Sequence, residues 1–196
     1  MTFPTDISRE ELALLPIRRY EGDIHLVTTP QQLERAMADI ESERVLGFDT
    51  ETRPAFTKGE SHLPCLVQIA TARAVYLFQL RAVDCSAPLA ALLGDPAVVK
   101  AGVSIAFDLK KLQQVFAFEE AGVVDLGVVA KKYGVKQTGV RSLSAMFLGY
   151  RIPKGASTTN WAARRLTPTQ ILYAATDAWA SRELYRWFEC LGWVGA

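Results

Sequence analysis

Short apolar runs alternate along the chain with polar stretches that carry proline, glycine and threonine. Ile24 to Val27 has the length and composition of a strand. Thr28-Thr29-Pro30 then reads as a helix start with proline in the first turn. Leu33, Met37 and Ile40 set an apolar stripe on that helix. Val45, Leu46 and Phe48 predict a buried strand, and residues 53–63 a polar loop. Cys65 to Ala70 and Ala74 to Leu80 are two apolar runs split by Thr71-Ala72-Arg73, the pattern of an antiparallel pair joined by a tight turn. Pro88 to Leu93 predicts a short helix stopped by Gly94-Asp95-Pro96, and Val98 to Val103 another buried strand.

Beyond it, Leu109, Leu112, Val115 and Phe116 mark a helix, and Val123 to Leu126 a brief strand. Helical stretches near 126–133 and 142–148 each end on a glycine, Gly134 and Gly149. Residues 151–161 read as an irregular loop. The longest helix runs from Thr167-Pro168 to Phe188, with Thr167 as N-cap. Residues 1–20 form an N-terminal arm in which Ser8 and Glu11 match a capping box, and 21–190 form one domain. Strands followed by alternating strand and helix predict an α/β fold with a mixed sheet.

The 196 residues suffice for one domain with a sizeable core. A net charge of +1 excludes no class of partner, because partners read local patches. Cys65, Cys85 and Cys190 are odd in number and far apart, which argues against a disulfide framework or a zinc site and fits a cytoplasmic protein. The N-terminus has no basic start followed by an apolar core, and no apolar run is long enough for a membrane span, so no membrane association is expected.

The chemistry concentrates where strands end. Asp49 and Glu51 stand at i and i+2, so their carboxylates share one face of a strand. Acids forced together repel unless a cation lies between them, and oxygen-only ligands favour a hard ion such as Mg²⁺ or Mn²⁺. Asp108 falls at the start of a helix, after a strand. Tyr173 and Asp177 are four apart on the last helix and share a face, beside the small residues Ala174 and Ala178. Taken singly, each has an ordinary structural explanation: solvated acids, a helix cap, a packed helix face.

In that order, Asp49-x-Glu51, Asp108 and Tyr173-x-x-x-Asp177 resemble the three motifs of the DEDD exonucleases in their tyrosine-containing branch. Leu46-Gly47-Phe48-Asp49-Thr50-Glu51, Leu66-Val67-Gln68-Ile69-Ala70 and Asn160-Trp161-Ala162 with Tyr173-Ala174-Ala175-Thr176-Asp177-Ala178-Trp179 extend the likeness. Over residues 21–188 the chain resembles the 3′–5′ exonuclease domain of ribonuclease D and Werner-type exonucleases. The resemblance implies a ribonuclease H-like fold, with a mixed five-stranded sheet flanked by helices, and two-metal hydrolysis of phosphodiesters. It implies that Asp49, Glu51 and Asp177 hold one ion, that Asp49 bridges to a second supported by Asp108, and that Tyr173 positions the attacking water. The implied substrate is a single-stranded or frayed 3′ end of DNA or RNA, and the product a nucleoside 5′-monophosphate. A non-catalytic nucleic-acid-binding module on the same fold is the rival reading, and it ordinarily lacks one or more of the acids.

Between Lys131 and Arg186 ten basic residues face two acids. Lys154, Arg164 and Arg165 flank the last helix and are the expected phosphate contacts. Trp161, and Phe56 in the loop after the first acids, are candidates for stacking on terminal bases, Trp161 being equally a core candidate. Thr50, between the acids, is placed by the resemblance beside the 3′ end. Trp179 and Trp187 are expected in the core, and His62 at the surface. Unlike full-length ribonuclease D, the sequence shows no accessory helical segment after the exonuclease helix, which predicts weak or distributive binding unless the protein oligomerises or uses a partner.

Overall fold

A computed structural model describes residues 3–57, 59–156 and 158–195. The chain runs α1 (Arg9–Leu14), β1 (Asp23–Val27), α2 (Pro30–Ile40), β2 (Val45–Thr52), β3 (Pro64–Ala70), β4 (Ala74–Gln79), α3 (Ser86–Gly94), β5 (Val99–Gly102), α4 (Ala106–Leu112), β6 (Val123–Asp125), α5 (Leu126–Lys132), α6 (Val140–Leu143) and α7 (Pro168–Cys190). One mixed sheet has the order β1-β4-β3-β2-β5-β6. The pairs β2/β3 and β3/β4 are antiparallel, while β1/β4, β2/β5 and β5/β6 are parallel. The sheet therefore has six strands where the resemblance implies five. The sixth is β6, the brief strand read at Val123 to Leu126, whose three residues pair with Lys100, Ala101 and Gly102.

Period-two alternation divides the strands between two cores. Leu46 and Phe48 of β2, Val67 and Ile69 of β3, and Tyr76 and Phe78 of β4 face α2, α3 and α4. Leu66 and Ala70 of β3, with Val75 and Leu77 of β4, face α7. Farther along α7, Leu184 and Phe188 meet Ala101, Leu126 and Leu143. Because both faces are covered, β3 and β4 are buried along their whole length, which explains their nearly unbroken apolar sequences.

Gly47 sets the distance between the sheet and α7. A methyl group there would overlap the Ala178 carbonyl and crowd Arg182, so only glycine lets the helix backbone lie directly on β2. Alanines 174, 175 and 178 supply the matching small surface. The start of α7 is fixed by the expected cap: Thr167 accepts from the Gln170 amide, and Gln170 returns the bond to Thr167.

Several details differ from the sequence expectation. The helix near 142–148 is α6 followed by a π-helical turn at Ser144–Leu148, ended by Gly149 in the left-handed region. Val115 lies past the end of α4 and is exposed. Trp187 is exposed rather than buried, because α7 outruns the Tyr150 and Ile152 side chains that cover the same stripe at Ala180. The arm carries the predicted Ser8–Glu11 box, yet α1 buries nothing; the arm is tied down instead by Arg18 and Arg151 backbone bonds and a Lys136–Asp6 ion pair. Among the described residues no helix is long and apolar enough to cross a membrane.

One charge is buried far from the sheet's acidic end. Lys100 of β5 is 1% exposed and donates from Nζ to the Asp95 carbonyl at 2.6 Å. Burial lowers its pKa to about 8, with the Asp95 charge opposing. The unfolded chain keeps this amine protonated up to its ordinary value of 10.5, so the folded state gains relative stability as pH rises through that window. The melting temperature of the wild type minus that of Lys100→Met should therefore grow between about pH 8 and 10.5. A difference that stays constant over that range would show that the amine titrates normally.

Candidate active site

Strand β2 delivers the first two acids. Its odd residues, Gly47, Asp49 and Glu51, face α7, while Phe48 faces the opposite core. The close seat of α7 over Gly47 brings Asp177 down onto the same face. Asp49, Glu51 and Asp177 each offer a carboxylate oxygen within 4.8 Å of the others. Asp108 stands in the first turn of α4, outside this trio. It caps nothing: the N-cap is Ile105, which makes no side-chain cap bond. Its charge nonetheless bears on both Asp49 and Glu51.

The electrostatics are those of anions held in short supply of water. Burial is the largest influence on Asp49 and pushes its pKa well above the usual carboxylate range, with the Asp177 and Asp108 charges adding to it. The Thr50 amide, donating to Asp49 Oδ1 at 2.9 Å, pulls the other way. Glu51 is raised to about 10 by burial and then by Asp49, Asp177 and Asp108. Asp177 is also raised by burial, against the opposing influence of the Tyr173 hydroxyl and the Arg141 guanidinium. Asp108 is raised by burial, moderated by Lys111 and by the Thr50 hydroxyl. The donor set is all oxygen, anionic and convergent, which fits a hard divalent cation; such an ion would supply the positive charge these groups lack.

Tyr173 is half-buried beside Asp177, and burial with the Asp177 and Glu51 charges drives its phenol far above the ordinary tyrosine value. It stays protonated throughout the physiological range. Its ring is wedged in place. The Trp161 ring lies 6.0 Å away, and the backbone of Gly155 comes so close that a methyl there would overlap the phenol ring.

Trp161 is 1% exposed and packs among Leu66, Ala174 and Ala175, so it offers no face to a base. It buttresses Tyr173 instead. Lys154, Arg164 and Arg165 are exposed. Lys154 lines a cavity of about 250 Å³ with Gly155 and Tyr173. Arg164 and Arg165 line a separate one of about 1160 Å³. Thr50 is buried and its amide is engaged by Asp49. Phe56 is exposed in the loop after β2, and His62 pairs with Glu60 at 2.9 Å.

Four residues bear on the site in ways the sequence did not show. Phe107, adjacent to Asp108, is 65% exposed, and its ring carries the Lys111 amine at 4.6 Å. Arg141, in sequence only one of the basic residues, lends its charge to Asp177 while its Nε donates to the Ile152 carbonyl at 3.0 Å. Gln68 sits opposite Asp49 in the β2/β3 register, wholly buried, with neither amide atom paired among the described residues. Asp125 accepts from the Ser104, Ile105, Gly127 and Val128 amides at 2.9–3.2 Å. It thereby ties the start of α5 to the turn that launches α4, where Ser104 adopts a left-handed conformation. An unbroken apolar run around Gln68 and the i, i+4 spacing of Phe107 and Lys111 were the available signals; Arg141 and Asp125 act through contacts distant in the chain.

A mixed sheet that exposes paired acids from its central strand to a third acid and a phenol on a long helix defines a carboxylate-centred site of the ribonuclease H-like class. The family described as 3′–5′ exonuclease matches residues 24–190, and the chain belongs to it. It is 33% identical over 165 residues to ribonuclease D of Gluconacetobacter diazotrophicus, covering 82% of this chain and 41% of that protein. It is 32% identical over 181 residues to exonuclease 3′-5′ domain-containing protein 2 of Drosophila melanogaster, covering 89% and 30%. The crystal structure of Escherichia coli RNase D, described as an exoribonuclease involved in structured RNA processing, superposes with a TM-score of 0.75 at 25% identity, over 88% of this chain and 47% of that one. The chain thus spans less than half the length of these relatives.

Mn²⁺ at about a hundred times its dissociation constant should stabilise the protein by about 2.7 kcal/mol. For a chain of this size that raises the melting temperature by roughly 5–10 °C. Asp49→Asn and Asp177→Asn should each abolish the shift. A wild type that melts at the same temperature with and without Mn²⁺ would remove the cation from the site.

Proposed function

We propose that the protein is a divalent-metal-dependent 3′–5′ exonuclease that releases nucleoside 5′-monophosphates from single-stranded or frayed 3′ ends of nucleic acid. The observation that carries this reading is the convergence of the Asp49, Glu51 and Asp177 carboxylates within 4.8 Å, with Asp108 and Tyr173 beside them. Family membership supports the reaction class. In this reading Asp49, Glu51 and Asp177 hold one Mg²⁺ or Mn²⁺, and Asp49 with Asp108 a second. Two such ions would stabilise the attacking and leaving oxygens of an in-line displacement at phosphorus.

The chain's own residues do the remaining work. Tyr173 keeps its proton, so it acts as a hydrogen-bonding group that orients water rather than as a base. Gly155 and Trp161 hold its ring against drift, and small displacements near reacting atoms are costly to the rate. Arg141, on the Asp177 side, is positioned to meet an anionic oxygen of the substrate. Exposed Phe107 and Phe56 offer ring faces to unstacked bases, a contact that tolerates any sequence. Lys154, Arg164 and Arg165 are the proposed phosphate contacts. The buried Cys65 and Cys85 thiols, both unpaired, suit a reducing cytoplasm.

Single-stranded DNA and RNA of one sequence, labelled at the 5′ end, test the reaction directly. With Mn²⁺ or Mg²⁺ a ladder shrinking from the 3′ end is expected, lost in EDTA and in Asp49→Ala. Absence of cleavage on both strands, with Mn²⁺ bound, would favour a binding module over an enzyme. The wedge around Tyr173 has its own test. Tyr173→Phe and Gly155→Ala should each lower kcat by roughly 100-fold. Their combination should cost no more than either alone, since both act through one phenol. Additive losses would separate Gly155 from Tyr173.

A further inference from the structure

A large cavity lies beside the acids, not on them. At about 1160 Å³ it is lined by Leu26 and Thr28 at the end of β1, Gln79 and Arg81 at the end of β4, and Arg164 and Arg165 from the segment before α7. A second cavity of about 390 Å³ is lined by Arg53, Ser61, His62 and Leu63 among others. The two share Cys65, Arg81 and Ala162, so they adjoin at these side chains as two parts of a trough. Its inner end reaches the site: the Cys65 thiol donates to the Glu51 carbonyl at 3.4 Å, and Arg53 follows Glu51 by two residues at the exit of β2.

The lining has an unusual charge balance. Among the described residues no aspartate or glutamate lines either cavity, while Arg53, Arg81, Arg164 and Arg165 do. None of these four guanidiniums has a carboxylate at ion-pair distance among the described residues. Unpaired arginines spaced along a groove that also offers apolar surface at Leu26, Leu63 and Leu166 match a polyanion with flat apolar groups, which is the chemistry of a nucleic-acid single strand. The outer wall is fixed, since Gln79 Nε2 donates to the Ala163 carbonyl at 3.3 Å.

We propose that this trough binds the phosphates of the nucleotides upstream of the scissile bond, so that the strand crosses the ends of β1, β4 and β3 before its 3′ end reaches the acids. The proposal rests on the exonuclease reading for which end is cut, but strand binding in the trough is separable from hydrolysis. It makes Arg53 and Arg81 substrate-binding residues and favours chains several nucleotides long over dinucleotides.

The test combines binding and length selectivity. On the Asp49→Asn background, a fluorescent single strand about twelve nucleotides long, within the usual footprint of such grooves, is titrated at several salt concentrations. Adding Arg81→Ala and Arg164→Ala should flatten the slope of log affinity against log salt by about 0.7 for each phosphate that is no longer neutralised, about 1.4 in all. Arg81→Lys and Arg164→Lys should retain most of the slope. With Asp49 intact, the double alanine variant should lose at least about tenfold more kcat/KM on the longer strand than on a dinucleotide, the equivalent of about 1.4 kcal/mol. An unchanged salt slope, or equal losses on both substrates, would overturn the trough. If the protein with all its arginines cleaves neither substrate, the exonuclease reading fails, while the salt titration still decides whether the trough binds a strand.

Discussion

Everything distinctive about this molecule follows from backbone-to-backbone contact between α7 and β2. A helix normally rides on a sheet at a distance set by the side chains between them. Here the gap closes at Gly47, where there is no side chain, against a helix surface of alanines. The consequence is positional. Residues on the underside of α7 descend to the level at which β2 presents its acids, and Asp177 meets Asp49 and Glu51. A larger residue at Gly47 would lift the helix and part the acids without touching any of them.

That contact brings together groups that repel. Asp49, Glu51, Asp108 and Asp177 all carry raised pKa values, with burial the first cause in each. Such a cluster opposes folding, and the surrounding structure tolerates it by over-determining the geometry. The Thr50 amide bonds Asp49, Asp125 joins the turn that aims α4 to the start of α5 through four amides, and Tyr173 packs against an indole and a glycine. Carboxylates raised by burial and by one another, on a fixed framework, are the expected mark of a functional site.

The acids and Tyr173 were legible in the sequence because their spacing is local: i and i+2 on a strand, i and i+4 on a helix. Helix caps were legible for the same reason, and Thr29, Thr167 and Ser8 all make the boxes their neighbours predict. What escaped depends on contacts between distant segments. Trp161 carries no local sign of its burial beneath α7, nor Trp187 of its exposure. The strand β6 was legible as the apolar run at Val123 to Leu126, but its place on the outer side of β5 was not. The trough is assembled from separate stretches of chain, so its arginines look like scattered surface charges until the sheet lines them up.

The buried Lys100 amine has a consequence outside the reaction. Lowering its pKa to about 8 leaves a sizeable neutral fraction near physiological pH, and a neutral amine is a nucleophile. Yet the group is walled in by the Asp95 carbonyl and the turn at Gly122. Its acylation by a water-soluble reagent would therefore proceed only through opening of the Asp95 and Gly122 turns around it. The residue is in effect a built-in clock, recording how often the end of the sheet opposite the acids breathes.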